Sequence, residues 1–252
     1  MKVTSRGHRI NYLTFGDAPD AMVLLHGHMQ AAEDWESRGY PDLLTPTHQV
    51  IAIDLLGYGY SDKPHDPEAH NLDGRVADVA AVLDAEGVDR AALWGYSIGV
   101  VTAEAFAKQH PERVTGLICG GNLVNASPDD RQNMFMSGAE LLERSGLEAY
   151  LDQTYPDVAP EHQEIRERFG SRNDGLAAAA AVRGVCVSGA AEDAPLPDKT
   201  LNYMGTDEEW FELVKAVAAQ KGVAFTEVPG DHGGAFMDAE IITAKVLAFL
   251  DV

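Results

Sequence analysis

Short apolar runs alternate with amphipathic stretches along this chain. Residues 2–5 and 8–14 read as two strands joined at Arg6-Gly7, and Met22-Val23-Leu24-Leu25 as a buried strand ending in the loop His26-Gly27-His28. A helical pattern carrying Trp35, Leu43 and Leu44 covers 31–44. Val50-Ile51-Ala52-Ile53 is the next buried run, closed by Asp54 and a loop from Leu55 to Pro64. Over 72–87, apolar residues recur at helical spacing (Leu72, Val76, Val79, Val82, Leu83) and stop at Gly87. Ala91-Ala92-Leu93-Trp94 predicts a strand, Val100 to Lys108 a helix ended by His110-Pro111, and Val114 to Cys119 another strand. Strands alternating with helices imply parallel βαβ units with right-handed crossovers.

The rhythm breaks after residue 122 and resumes at Leu201-Asn202-Tyr203-Met204. A helix over 207–220, a strand from Val223 to Val228 and a final helix over about 238–251 follow. The interruption reads as helical. Ser127-Pro128-Asp129-Asp130 combines a capping serine, a first-turn proline and early acids, and Ala177 to Ala181 is a strong helix former. The expected organisation is therefore a core domain of residues 1–122 and 196–252, with a helical cap inserted at 123–195.

Between the strand at 91–94 and the helix at 100–108 lies Gly95-Tyr96-Ser97-Ile98-Gly99, a Gly-x-Ser-x-Gly sequence. A serine at so tight a strand-to-helix turn is held in a strained conformation with its hydroxyl presented at the sheet edge. The flanking glycines remove Cβ atoms that would clash. The helix that follows aims its first N–H groups at developing negative charge, and the N–H of Ile98, directly after the serine, is the expected oxyanion donor.

Composition sharpens this picture in two places. The 252 residues fit one α/β domain with an insertion, or at most two domains. Asp and Glu total 40 against 19 Lys and Arg, a net charge of −21 that repels nucleic acid and anionic membranes. That acidity suits solubility in a salty cytoplasm, or expulsion of a carboxylate product; the residues do not separate the two. Cys119 and Cys186 are too few for a disulfide scaffold. The N-terminal MKVTSRGHRI has no apolar signal region and no run reaches membrane-spanning length, so a soluble cytoplasmic protein is expected.

Taken together, His26-Gly27 after a strand, Asp54-x-x-Gly57-x-Gly59-x-Ser61-Asp62 after the next, the Gly95–Gly99 turn and Gly230-Asp231-His232 after the last strand resemble an α/β-hydrolase, in that family's order and over most of the chain. The resemblance implies a mostly parallel eight-stranded sheet flanked by helices, a Ser–acid–His triad and, usually, hydrolysis of an ester-like bond. It implies a second oxyanion donor at the residue after His-Gly, here the backbone of His28. It gives His26 a bracing role, and Asp54, Gly57 and Gly59 a structural one. The His28 side chain either touches substrate or fills the loop. His26-x-His28 could suggest a metal pair, but no third ligand is apparent.

The triad of this fold runs Ser, acid, His along the chain. Of the histidines after Ser97, His110 ends a helix and His162 lies in the insertion. His232 follows the final strand, at the edge where strand ends gather ligands. The acid should follow a strand and precede His232. Asp207 does so, with Glu208 and Glu209 as close competitors that read better as first-turn helix acids. Asp198 precedes its strand, and Asp231 adjoins the histidine it would have to reach.

The expectation is a serine hydrolase of a small or medium carboxylic ester, lactone or related acyl compound, with Ser97, His232 and Asp207 as catalytic groups and the His28 and Ile98 N–H groups as oxyanion hole. No cofactor or metal is called for. Met134, Phe135 and Met136 are candidate pocket residues for an uncharged acyl substrate, and neither nucleic acid nor membrane is an expected partner. Serine at the nucleophile position departs from the relatives whose aspartate opens epoxides or displaces halide. The absence of a Gly-Gly-Gly run after His26 disfavours the lipase type. Val100, where many relatives carry a smaller residue, alters the rear wall of the site. Two other readings stand beside this one: hydrolysis of a carbon–carbon bond in a β-diketone-like meta-cleavage compound, and non-hydrolytic small-molecule binding or signalling.

Overall fold

The computed structural model describes residues 1–156, 160–187 and 193–251. Its strands are β1 (Lys2–Ser5), β2 (His8–Phe15), β3 (Asp20–Leu25), β4 (His48–Ile53), β5 (Ala91–Tyr96), β6 (Val114–Gly120), β7 (Thr200–Gly205) and β8 (Ala224–Val228). They form one eight-stranded sheet in the order β1-β2-β4-β3-β5-β6-β7-β8. β1 and β2 pair antiparallel, β2 meets β4 antiparallel, and every pairing from β4 to β8 is parallel. Parallel strands bring Leu25, Ile53, Tyr96, Gly120, Gly205 and Val228 to one edge, where ligand sites of such sheets form.

Both faces of the sheet are covered, which is why its strands are near-continuous apolar runs. Val23, Leu25, Ile51 and Leu93 pack against Val76, Val79 and Leu83 of α3 (Leu72–Ala85) and Phe106 of α4 (Ile98–Gln109). On the other face, Met22, Leu24, Val50 and Trp94 pack against Trp35 of α1 (Ala32–Ser37), Tyr40 and Leu44 of α2 (Tyr40–Leu44), and Ile242 and Val246 of α10 (Ala239–Leu250). Trp35, Tyr40, Trp94 and Phe236 form an aromatic cluster with centroids 4.7–5.6 Å apart. The Tyr40 hydroxyl donates to the Phe236 carbonyl at 3.0 Å. Phe236 lies in the short helix α9 (Gly234–Met237), so this cluster anchors the segment just after His232 to the core.

Between β6 and β7 the chain forms α5 (Pro128–Thr154), α6 (Pro160–Arg172) and α7 (Gly175–Val185). Ser127 starts α5 with a capping box: its side chain accepts from Asp130 N–H, while the Asp130 carboxylate accepts from Ser127 N–H at 2.9 Å. Gly146, at φ 83°, breaks α5 partway. Residues 157–159 and 188–192 of the expected 123–195 insertion lie outside the described residues. No helix among the described residues is long and apolar enough to cross a membrane.

Two expected helices have different bounds. The one over 31–44 is two helices, because Gly39 takes φ 81° and turns the chain between α1 and α2. The one over 207–220 begins only at Phe211, as α8 (Phe211–Lys221). Residues 206–210 instead form a turn tied back by Asp207 N–H to Gly230 O at 3.0 Å and Glu208 N–H to Gly205 O at 3.2 Å. This second difference decides which acid reaches the site.

Candidate active site

Ser97 sits between β5 and α4 at φ 52°, ψ −121°, a left-handed conformation that costs a non-glycine residue energy. Its surroundings hold it there. Ser97 N–H donates to Gly120 O at 2.8 Å, and its carbonyl accepts from Val100 N–H at 3.0 Å and from the Asn122 side-chain amide at 2.8 Å. A Cβ on Gly99 would stand 2.2 Å from the Leu25 carbonyl oxygen, and one on Gly95 would stand 2.6 Å from Val100 backbone atoms. The spacing of the two glycines is thus a packing requirement of the turn.

His232 Nε2 lies 3.1 Å from Ser97 Oγ, and His232 Nδ1 lies 3.1 Å from Glu208 Oε2. With the imidazole neutral, the carboxylate takes the Nδ1–H and leaves Nε2 free to accept the serine proton. The carboxylate facing His232 is therefore that of Glu208 rather than Asp207. In the 206–210 turn the Glu208 side chain is only 13 % exposed, whereas Asp207 is exposed and takes a long 3.4 Å contact from the Thr206 hydroxyl. Glu209, the other competitor, is also exposed. The Tyr96 hydroxyl donates to the His232 carbonyl, and its ring meets the imidazole at 5.4 Å, so the residue before the serine also positions the base.

Of the two expected oxyanion donors, Ile98 directly follows Ser97 and His28 lines the same cavity as Ser97 and His232. Ile98 is the first residue of α4, where an N–H has no intrahelical acceptor. His28 follows β3 in a loop shaped by Gly27 N–H to Gln30 Oε1 at 2.8 Å and Gln30 N–H to Gly27 O at 3.2 Å. His26 is fully buried. Its Nδ1 donates to Gly27 O at 2.7 Å and its Nε2 accepts from Leu55 N–H at 3.0 Å, joining the β3 and β4 loops. Burial pushes the His26 pKa down and keeps it neutral. Asp54 serves as a staple, its carboxylate accepting from Ala32 N–H, Tyr60 N–H and the Asn11 amide at 2.6, 2.8 and 2.9 Å. Both His26 nitrogens are engaged, and His28 Nδ1 meets the Tyr58 hydroxyl at 2.8 Å, so the His26-x-His28 pair points to separate partners. Among the described residues, no three His, Cys, Asp or Glu side chains gather in a metal-binding arrangement.

A cavity of about 470 Å³ opens over Ser97, His232 and Glu208, between the sheet edge and the inserted helices. Met134, Phe135, Leu141 and Tyr150 of α5 and Phe169 of α6 line it. Met136 does not. Its thioether accepts from Arg183 on α7 at 3.4 Å, so it serves the packing of α5 on α7. Met134 and Met136, two residues apart on a helix, cannot share a face. The other two late histidines lie elsewhere: His110 pairs with Glu112 at 3.6 Å and His162 meets Pro156 O at 2.9 Å.

The strand–turn–helix serine, with a histidine after the last strand and a carboxylate after the one before, lies at the edge of a mostly parallel sheet covered on both faces. Residues 20–174 match the model of the alpha/beta hydrolase fold family, and the chain belongs to that family. It is similar to epoxide hydrolase B of Mycobacterium tuberculosis H37Rv, at 35% identity over 117 residues (45% of this chain, 32% of that one). It is equally similar, at 35% over 122 residues, to the 2-hydroxymuconate semialdehyde hydrolase of Pseudomonas sp. strain CF600 (48% and 42%). These matches span less than half the length of either relative. The enol-lactonase of Burkholderia xenovorans LB400 superimposes over 100% of both chains at a TM-score of 0.81 and 20% identity, a likeness of fold.

Proposed function

We propose that this α/β hydrolase is a serine hydrolase that cleaves a small or medium carboxylic ester, lactone or related acyl compound through an acyl-enzyme. The observation that carries this reading is the continuous contact from Ser97 Oγ through His232 to Glu208, with 3.1 Å at both steps. His232 Nε2 takes the proton from Ser97 as its Oγ attacks the carbonyl carbon. The N–H groups of His28 and Ile98 hold the oxyanion. Glu208 fixes the imidazole tautomer and stabilises its charged form, His232 then protonates the leaving group, and water repeats the sequence on the acyl-enzyme. An epoxide-opening role has less support, because the nucleophile position holds serine. Carbon–carbon hydrolysis is the second reading, favoured by the relative named 2-hydroxymuconate semialdehyde hydrolase.

In this proposal the inserted helices cap the site and set substrate size. A p-nitrophenyl ester series from acetate to decanoate tests both ideas. We expect turnover with a clear optimum, kcat/KM rising by about 1 kcal/mol per accommodated methylene until the cavity is full. Met134→Ala and Phe135→Ala should move that optimum to longer chains, while Met136→Ala should leave it in place. Loss of colour from a meta-cleavage dienolate with no ester turnover would favour the carbon–carbon reading. A flat profile unmoved by any of the three substitutions would remove the cap from substrate selection.

A further inference from the structure

The inserted helices reach the loop that carries His28. Asn173, directly after α6, donates from Nδ2 to Met29 O at 2.7 Å and to Phe169 O at 3.1 Å. Two carbonyl acceptors on that side require the amide nitrogen there. Asn173 Oδ1 is buried with no hydrogen-bond partner, so packing alone gives little reason for an amide at this position. The preceding residue is clamped to the core. Arg172 Nη2 meets Asp34 Oδ2 of α1 at 2.7 Å, and the two side chains are 6 % and 2 % exposed. The same Asp34 oxygen accepts from Ala31 N–H at 2.7 Å, so one carboxylate ties α6 to the far end of the His28 loop. Met29, in between, is buried and takes φ 64°, a left-handed conformation that costs a non-glycine residue energy.

The hydrogen bonds continue from Met29 toward the site. Met29 O belongs to the same peptide unit as Gln30 N–H, and Gly27 O to the same unit as His28 N–H. Both units are trans, so each carbonyl and its N–H point in opposite directions, and turning one turns the other. Gln30 N–H donates to Gly27 O at 3.2 Å. The Asn173 amide therefore holds the Met29 carbonyl, the Gln30 N–H holds the Gly27 carbonyl, and the His28 N–H is the free end of the series. Hydrogen bonds in such a chain polarise one another in the same sense. His26 Nδ1 meets the Gly27 carbonyl as well, at 2.7 Å, a second hold that does not involve the inserted helices.

We propose that Asn173 is a positioning residue for the oxyanion hole: through two hydrogen-bonded peptide units it orients the His28 N–H, so that the inserted helices complete the catalytic machinery as well as covering it. This rests on the serine-hydrolase reading, in which that N–H faces the oxyanion. Asn173 itself does not line the cavity, so its amide touches no substrate. An N–H aimed in advance at the place where negative charge develops favours the transition state over the bound substrate, and its loss belongs to kcat rather than KM.

The test compares Asn173→Ala, Asn173→Asp and Asp174→Ala with the wild type by p-nitrophenyl ester kinetics, inhibition by an alkyl trifluoromethyl ketone, thermal melting and hydrogen exchange of the Gln30 amide. The ketone takes up Ser97 Oγ at its carbonyl carbon, the serine proton passes to His232, and an oxyanion is left in the hole. Asn173→Ala should lower kcat on the order of tenfold with KM little changed. That is less than the loss of about 10² to 10³ when a donor is removed outright, because His26 still holds Gly27 O. The ketone should bind more weakly by the same factor, and the Gln30 amide should exchange faster. Asn173→Asp should be at least as slow, since an ionised carboxylate offers no donor to either carbonyl. Asp174 caps α7, accepting from the Leu176 and Ala177 N–H groups at 2.9 and 3.0 Å. Asp174→Ala should therefore melt lower, yet keep wild-type kcat and ketone affinity. A folded Asn173→Ala with wild-type kcat overturns the proposal. So does a fall in kcat with ketone affinity unmoved, or one that Asp174→Ala reproduces, either of which would make Asn173 merely structural. If Asn173→Ala does not fold, Asn173→Asp decides on the same readings. Should the wild type cleave no ester, the hydrolase reading fails, and Gln30 exchange alone decides whether Asn173 holds the loop: faster exchange in Asn173→Ala supports it, and unchanged exchange overturns it.

Discussion

Replacing Ser97 by alanine is expected to lower kcat by about 10⁶, the loss seen when the nucleophile of a serine protease is removed. His232→Ala should do nearly the same, and the double substitution should add little. The reason is geometric. Ser97 Oγ has His232 Nε2 at 3.1 Å as its proton acceptor, and without that nitrogen the hydroxyl remains a weak nucleophile. Without the hydroxyl, the imidazole has only water to activate. Whatever rate survives would come from the oxyanion donors and from substrate binding. Steady-state kinetics on an ester of the wild type's preferred chain length measures this. Additive losses in the double variant would show that the two residues do not act as a unit.

The second large effect separates three adjacent acids. Glu208→Gln is expected to reduce kcat by about 10⁴, by analogy with the loss that follows when a protease triad acid becomes its amide. The amide keeps the shape but not the charge, and it can present N–H to His232 Nδ1, which favours the wrong tautomer. Asp207→Asn and Glu209→Gln should leave kcat nearly intact, since both side chains are exposed and only Glu208 reaches the imidazole. A severe Asp207→Asn with a mild Glu208→Gln would contradict the geometry and return the role to the residue expected from sequence.

That contrast shows where sequence reading works and where it stops. The strands were legible because both faces of the sheet are buried, so runs such as Met22–Leu25 and Val50–Ile53 are continuously apolar. The Gly-x-Ser-x-Gly turn was legible because backbone crowding at Gly95 and Gly99 excludes every other side chain. Which carboxylate faces His232 was not, because Asp207, Glu208 and Glu209 differ only in the direction in which a five-residue turn points them. That turn depends on hydrogen bonds to Gly205 and Gly230, the second of them distant in sequence. Treating 207 as the start of a helix concealed the turn altogether. Met136 was grouped with Met134 on hydrophobicity, yet the helix carries it to a different face.

The proposal that Ser97 is a nucleophile activated by His232 is tested most directly by covalent labelling with a fluorophosphonate, followed by mass spectrometry of the peptides. The expected result is one adduct per chain, on Ser97, that is absent from Ser97→Ala and forms far more slowly in His232→Ala and Glu208→Gln. A wild-type chain that stays unlabelled, or one labelled at a different residue, would contradict it.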